Sequence, residues 1–156
     1  MKKLCMACLF LISIGFVSCK NEEKQKPKEA IEKPISVSCY EAIYENDTIN
    51  LTVNLLKDGK ASGNMVMKMA DMPEKIGEIK GEFRGDTLFA DYSFIEANND
   101  KKQFKNPIAV LKRDSLFILG NGKIETYLGA SYFAKGVPID FDNVKYQFKT
   151  VDCTAK

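Results

Sequence analysis

The sequence predicts an all-β domain: an eight-stranded antiparallel up-and-down barrel whose first and last strands are joined by a disulfide, with a β-sandwich as the alternative. Three observations carry this. From Val37 onward apolar and polar residues alternate with a period of two, the spacing of half-buried strands. Short turn signals punctuate the alternation. Two cysteines, Cys39 and Cys153, stand at its two ends.

The strands are expected near residues 37–45, 48–57, 60–70, 76–84, 87–96, 103–112, 114–126 and 144–152. Ile49, Leu51, Val53 and Leu55 share a face opposite Thr48, Asn50, Thr52 and Asn54. Ala61, Gly63, Met65, Met67 and Met69 form the next apolar face. Ile79, Gly81 and Phe83 follow, then Leu88, Ala90, Tyr92 and Phe94. Asn46-Asp47, Asp58-Gly59, Gly85-Asp86, Asn98 to Asp100, Arg113-Asp114 and Asn121-Gly122 supply the turns, being residues that tolerate tight or left-handed backbone. Residues 127–142 break the alternation and leave room for a short helix or an extra hairpin.

The cysteines argue for closure. A disulfide needs its two Cα atoms within about 7 Å, and a flat sheet would hold its first and last strands several strand widths apart. Closing the meander in lipocalin-like order brings them together and removes both sheet edges. Paired cysteines suit an exported protein, whereas buried free thiols would be the reading for a reducing compartment.

The N-terminus argues for export. Lys2 and Lys3 precede an apolar run from Leu4 to Val17, the length of a signal-peptide core and short for a membrane span. Residues 20–34 are charged and polar, with Ile31 the one apolar residue larger than alanine. Such a segment buries too little surface to offset ordering. The chain therefore divides into a lipoprotein signal peptide (1–18), a lipidated cysteine with a disordered charged tether (19–36) and the barrel (37–156).

Phe16-Val17-Ser18-Cys19 resembles a bacterial lipobox, and that resemblance implies cleavage before Cys19 with acylation of its thiol and amine. Lys20-Asn21-Glu22-Glu23 resembles the export signal of surface lipoproteins in Bacteroidota. The mature chain resembles a group of small lipoproteins from the same phylum, through Cys39-Tyr40, Gly85 to Leu88, Ala90 to Phe94 and Asp152-Cys153. The resemblance implies fold and an outer-membrane, cell-surface location; it implies no activity. A looser likeness is to the copper-resistance, envelope-stress type of lipoprotein barrel, whose paired-cysteine motif this chain lacks.

Composition narrows the function. The 23 basic residues, less Lys2 and Lys3, equal the 21 acidic ones. No basic stripe points to nucleic acid. The chain has no histidine, which excludes Ser-His-Asp and Cys-His catalysis and every histidine metal site. No carboxylate pair, phosphate loop or metal-ligand spacing stands out, so neither catalysis nor a cofactor is expected.

Candidate sites remain. Met65, Met67 and Met69, with Tyr92 and Phe94, form an adaptable apolar face that lines a ligand cavity or simply fills the core. Tyr127, Tyr132 and Phe133 lie in the irregular segment, as a rim or as a plug. Thr48, Thr87 and Ser115 each follow an aspartate and precede an apolar residue. They resemble the O-glycosylation acceptors of Bacteroidota, although Asp ends turns and Thr begins strands for conformational reasons alone. The expected function is non-enzymatic: a membrane-anchored lipoprotein binding a small apolar ligand or an envelope protein. The alternative is a structural or inhibitory envelope protein with a packed interior, acting through its outer surface.

Overall fold

The computed structural model describes residues 32–154, so the signal peptide, Cys19 and the tether as far as residue 31 lie outside the described residues. The strands are β1 (Ser36–Tyr44), β2 (Asp47–Leu55), β3 (Lys60–Lys68), β4 (Lys75–Arg84), β5 (Thr87–Glu96), β6 (Asn99–Arg113), β7 (Leu116–Leu119), β8 (Ile124–Tyr127), β9 (Ala130–Phe133) and β10 (Gln147–Val151). Eight of them close a barrel in the order β1-β10-β7-β6-β5-β4-β3-β2, every pair antiparallel. One continuous ring of ladders excludes the sandwich. The backbone joins the sheet one residue before β1, where the Ile35 N–H donates to the Leu55 carbonyl.

The period-two faces point as expected. Ile49, Leu51, Val53, Ala61, Met65, Ile79, Leu88, Ala90, Tyr92 and Phe94 are all buried in one core with Val110, Phe117 and Phe148. The barrel is narrow enough to need residues without side chains. A Cβ on Gly63 would lie 1.8 Å from the Thr52 carbonyl oxygen, and one on Gly81 2.0 Å from that of Phe89. These inward glycines let neighbouring strands bend across each other.

Cys39 and Cys153 are bonded, with Cα atoms 5.2 Å apart. Ala42 is buried in the core, so the odd-numbered Cys39 faces outward and the bridge lies on the outer wall. It reinforces the thinnest part of the ring: β10 pairs with β7 at Gln147 and Phe148 and with β1 through Cys39, Tyr40 and Glu41.

The expected strand at 114–126 is corrected. The chain leaves the barrel after Leu119, and Ile124–Tyr127 pairs instead with Ala130–Phe133 in a separate hairpin. Gly120 and Gly122 mark the break. Phe141 and Ile139 press on Gly120, and Phe133 on Gly122, each closer than a Cβ would allow, and Ile139 also crowds Gly122. The excursion also explains an exception to the two-face pattern. Ala109 and Ile118 are buried although their pairing sets them on the outer wall; they and Ala134 fall outside the barrel core.

Candidate functional site

One end of the barrel carries the β1–β2, β3–β4 and β5–β6 turns and the chain leaving β7. A latch holds this end. The Tyr146 hydroxyl, just before β10, donates to Asp47 Oδ2 at 2.6 Å, and the Ala70 N–H donates to Asp47 Oδ1 at 2.8 Å. The two donors hold the Asp47 carboxyl below its ordinary pKa of 3.8. The Tyr146 phenol is pushed up to about 12, first by burial and then by its bond to Asp47. Because the carboxyl pKa is lowered on folding, the latch stabilises fully above pH 3.8 and its contribution fades as pH falls through the lowered value.

Beside the latch, the wall is incomplete. β6 spans fifteen residues, yet β7 pairs only with Val110 to Arg113. The first part of β6 therefore has β5 on one edge and no strand of the barrel on the other. Pro107 sits in this stretch, where a missing N–H costs no ladder bond. The β8–β9 hairpin covers the gap, with β9 lying against β6.

Under that cover is a cavity of about 230 Å³. Met65 and Met67 reach it from β3, Tyr92 and Phe94 from β5, and Asn106, Pro107 and Ile108 from β6. Leu119, Gly120, Asn121 and Gly122 close one side, Ile124 and Phe133 of the hairpin form the roof, and Lys75 stands at the start of β4. Register explains the convergence, since Gly77 pairs with Phe94, Phe94 with Phe104 and Tyr92 with Asn106. Rings line the inner wall: Tyr92 stacks on Phe94 at 4.7 Å and Phe94 on Phe104 at 5.3 Å between centroids. The Tyr92 hydroxyl lies 3.0 Å from the carbonyl oxygens of both Met65 and Lys75, and burial pushes its phenol up. Its proton stays in place, pinning the ring across β3 and β4.

The structure thus brings four of the expected lining residues, Met65, Met67, Tyr92 and Phe94, together with one expected rim residue, Phe133. The rest lie elsewhere. Met69 is beyond the end of β3 and its sulfur lies 3.4 Å from the Tyr146 hydroxyl oxygen, so it belongs to the latch and not to the lining. Tyr127, 66 % exposed, and Tyr132 face solvent from the hairpin. Lys75, Asn106, Ile108, Leu119 and Ile124 were not singled out from sequence; the signal for the first three was their inward phase, which becomes visible only once register is known. Of the candidate acceptors, Ser115 is exposed at the β6–β7 turn, while Thr48 and Thr87 are half-buried. Among the described residues no cluster of three or more His, Cys, Asp or Glu forms a metal site.

No family model matches the chain, and neither a curated protein nor a solved structure shows significant similarity to it.

Proposed function

We propose that this chain is an exported, lipid-anchored envelope protein whose barrel holds a small, mainly apolar molecule. The observation that carries the binding reading is the cavity under the β8–β9 hairpin, where Met65, Met67, Tyr92, Phe94 and Phe133 converge. Sites of this kind are concave, apolar and few per protein, with a small number of polar groups to orient the occupant. At about 230 Å³ the cavity is smaller than the 300–1,000 Å³ usual for drug-sized ligands. The occupant is correspondingly small. Methionine at two of the lining positions lets the wall adapt to shape.

Met67 is the position that tests this. It reaches the cavity and is half-buried, whereas Met65 is 1 % exposed and packed in the core. Met67→Phe is expected to fill the cavity and reduce uptake of a small apolar fluorescent probe at least tenfold, while costing the fold about 1 kcal/mol from overpacking. Wild-type protein that takes up no such probe would leave the cavity reading without support.

The anchor rests on the apolar run ending at Ser18-Cys19 and the charged segment behind it. Two or more acyl chains hold a protein stably on a bilayer, where one holds it marginally. Cys19→Ala is expected to abolish acyl labelling and move the protein to the soluble fraction. Persistent labelling of that variant would show that the acyl site is another residue.

A second reading has its own observation. The hairpin tip exposes Tyr127 and Leu128, the latter 89 % exposed and held at φ +50°. An aliphatic side chain kept in left-handed backbone and in water is costly on both counts. It supports action through the outer surface on an envelope partner, with the barrel as scaffold.

A further inference from the structure

We infer that the cavity selects an anionic amphiphile, with a carboxylate-type head at Lys75 and a short apolar body against Met67, Phe94 and Ile108; this rests on the cavity being a binding site. Lys75 is the one charged residue in the lining. Its Nζ lies 5.5 Å from the centroid of the Phe94 ring. Neighbouring lysines are differently placed: Lys68 pairs with Glu74, Lys105 with Asp91 and Lys123 with Glu125. Among the described residues no carboxylate lies within ion-pair distance of Lys75, and none lines the cavity. Lys75 is half-buried with its ammonium beside an aromatic face, which compensates a cation weakly, and Glu96, its cross-strand partner, makes no ion pair with it. An anion arriving there meets a positive charge at the edge of an apolar, low-dielectric space, where attraction is stronger than in water. The same site disfavours a cationic head.

Asn106 adds a second polar group. It faces the cavity from β6, at the position paired with Tyr92, and its amide can donate to one oxygen of a head that Lys75 neutralises. The body is bounded by volume. At roughly 30 Å³ per water-sized group, about 230 Å³ takes about eight such groups. That suits an eight-carbon chain or a small aromatic acid and excludes a full-length fatty acyl chain.

The test uses the purified full chain and three probes of one length: octanoate, octan-1-ol and octylamine. Binding is read by titration calorimetry at low salt, with the thermal transition recorded to show that each variant is folded. Wild type is expected to bind octanoate roughly tenfold more tightly than octanol, and octylamine more weakly than either. The octanoate preference should shrink as salt screens it. Lys75→Met, which keeps an apolar stem of similar length, is expected to abolish the preference while retaining octanol. Lys75→Arg, which keeps the charge, is expected to retain it. Equal binding of octanoate and octanol by wild type, or a preference that survives in Lys75→Met, overturns the head-group assignment and leaves the cavity as a site. Folded wild type that binds none of the three overturns both.

Discussion

Replacing Cys39 and Cys153 together by serine is expected to destabilise the domain by about 3–4 kcal/mol and to lower Tm by roughly 10 °C or more. The bond closes a loop with a sequence separation of 114 residues. Constraint of the unfolded chain over such a loop is worth close to ~5 kcal/mol in the chain-entropy model, and measured values generally fall below it. The loss should also be local. β10 is five residues long and meets β7 at two positions and β1 at three, so without the bridge this seam strand is held by fewer ladder pairs than any other strand of the ring. Amide exchange in β10 should accelerate under reducing conditions before exchange in β4 and β5 changes. A reduced protein with unchanged Tm and uniform exchange would mean that the β10 ladders hold the ring closed by themselves.

The same seam shows what could be read from sequence. The bridge between the first and last strands was legible because cysteine chemistry constrains distance independently of strand register. The inward faces were legible because period two survives any error at the turns. Turn positions were less so. The β1–β2 reversal falls at Glu45-Asn46, with Glu45 at φ +52°, one residue earlier than the Asn-Asp signal suggested. Asp47 is the first residue of β2, and its carboxylate is used by Tyr146 and Ala70 across the barrel end. A residue whose side chain is claimed by distant partners looks, from sequence, like a turn former.

The excursion after β7 was the hardest part to read. Gly120-Asn121-Gly122 carried a turn signal, yet the apolar residues on both sides suggested one long strand. What breaks it is contact with Phe133, Ile139 and Phe141, all later in the chain and invisible to a local pattern. A trace of the answer was present. Ile108 to Leu111 and Leu116 to Leu119 are apolar at both parities, the mark of a strand covered on both faces. The hairpin and the segment after it supply that second cover. The cavity inherits the same split: its methionine and aromatic wall follows from strand phase, whereas Lys75 and Asn106 join it through cross-strand register.

Gly63→Ala is expected to be among the most damaging single-methyl additions in this chain, costing about 3–5 kcal/mol. Overpacking a core with one carbon commonly costs 1–3 kcal/mol, because side chains give way. Here the obstruction is backbone. The added Cβ would sit 1.8 Å from the Thr52 carbonyl oxygen and 2.8 Å from its carbon, so β2 itself would have to move, together with the paired rows on either side of Val53. A loss of that size is a large fraction of the stability of a domain this small. Gly85→Ala is the control that separates mechanisms. Gly85 has φ +61° but nothing within 4 Å of a Cβ, so its cost is backbone strain alone, about 1 kcal/mol. Urea unfolding of both variants should therefore show a midpoint shift several times larger for Gly63→Ala. Equal shifts would mean that conformational strain, and not strand-to-strand approach, sets the demand for glycine, and that β2 and β3 lie farther apart at Gly63 than a narrow closed barrel requires.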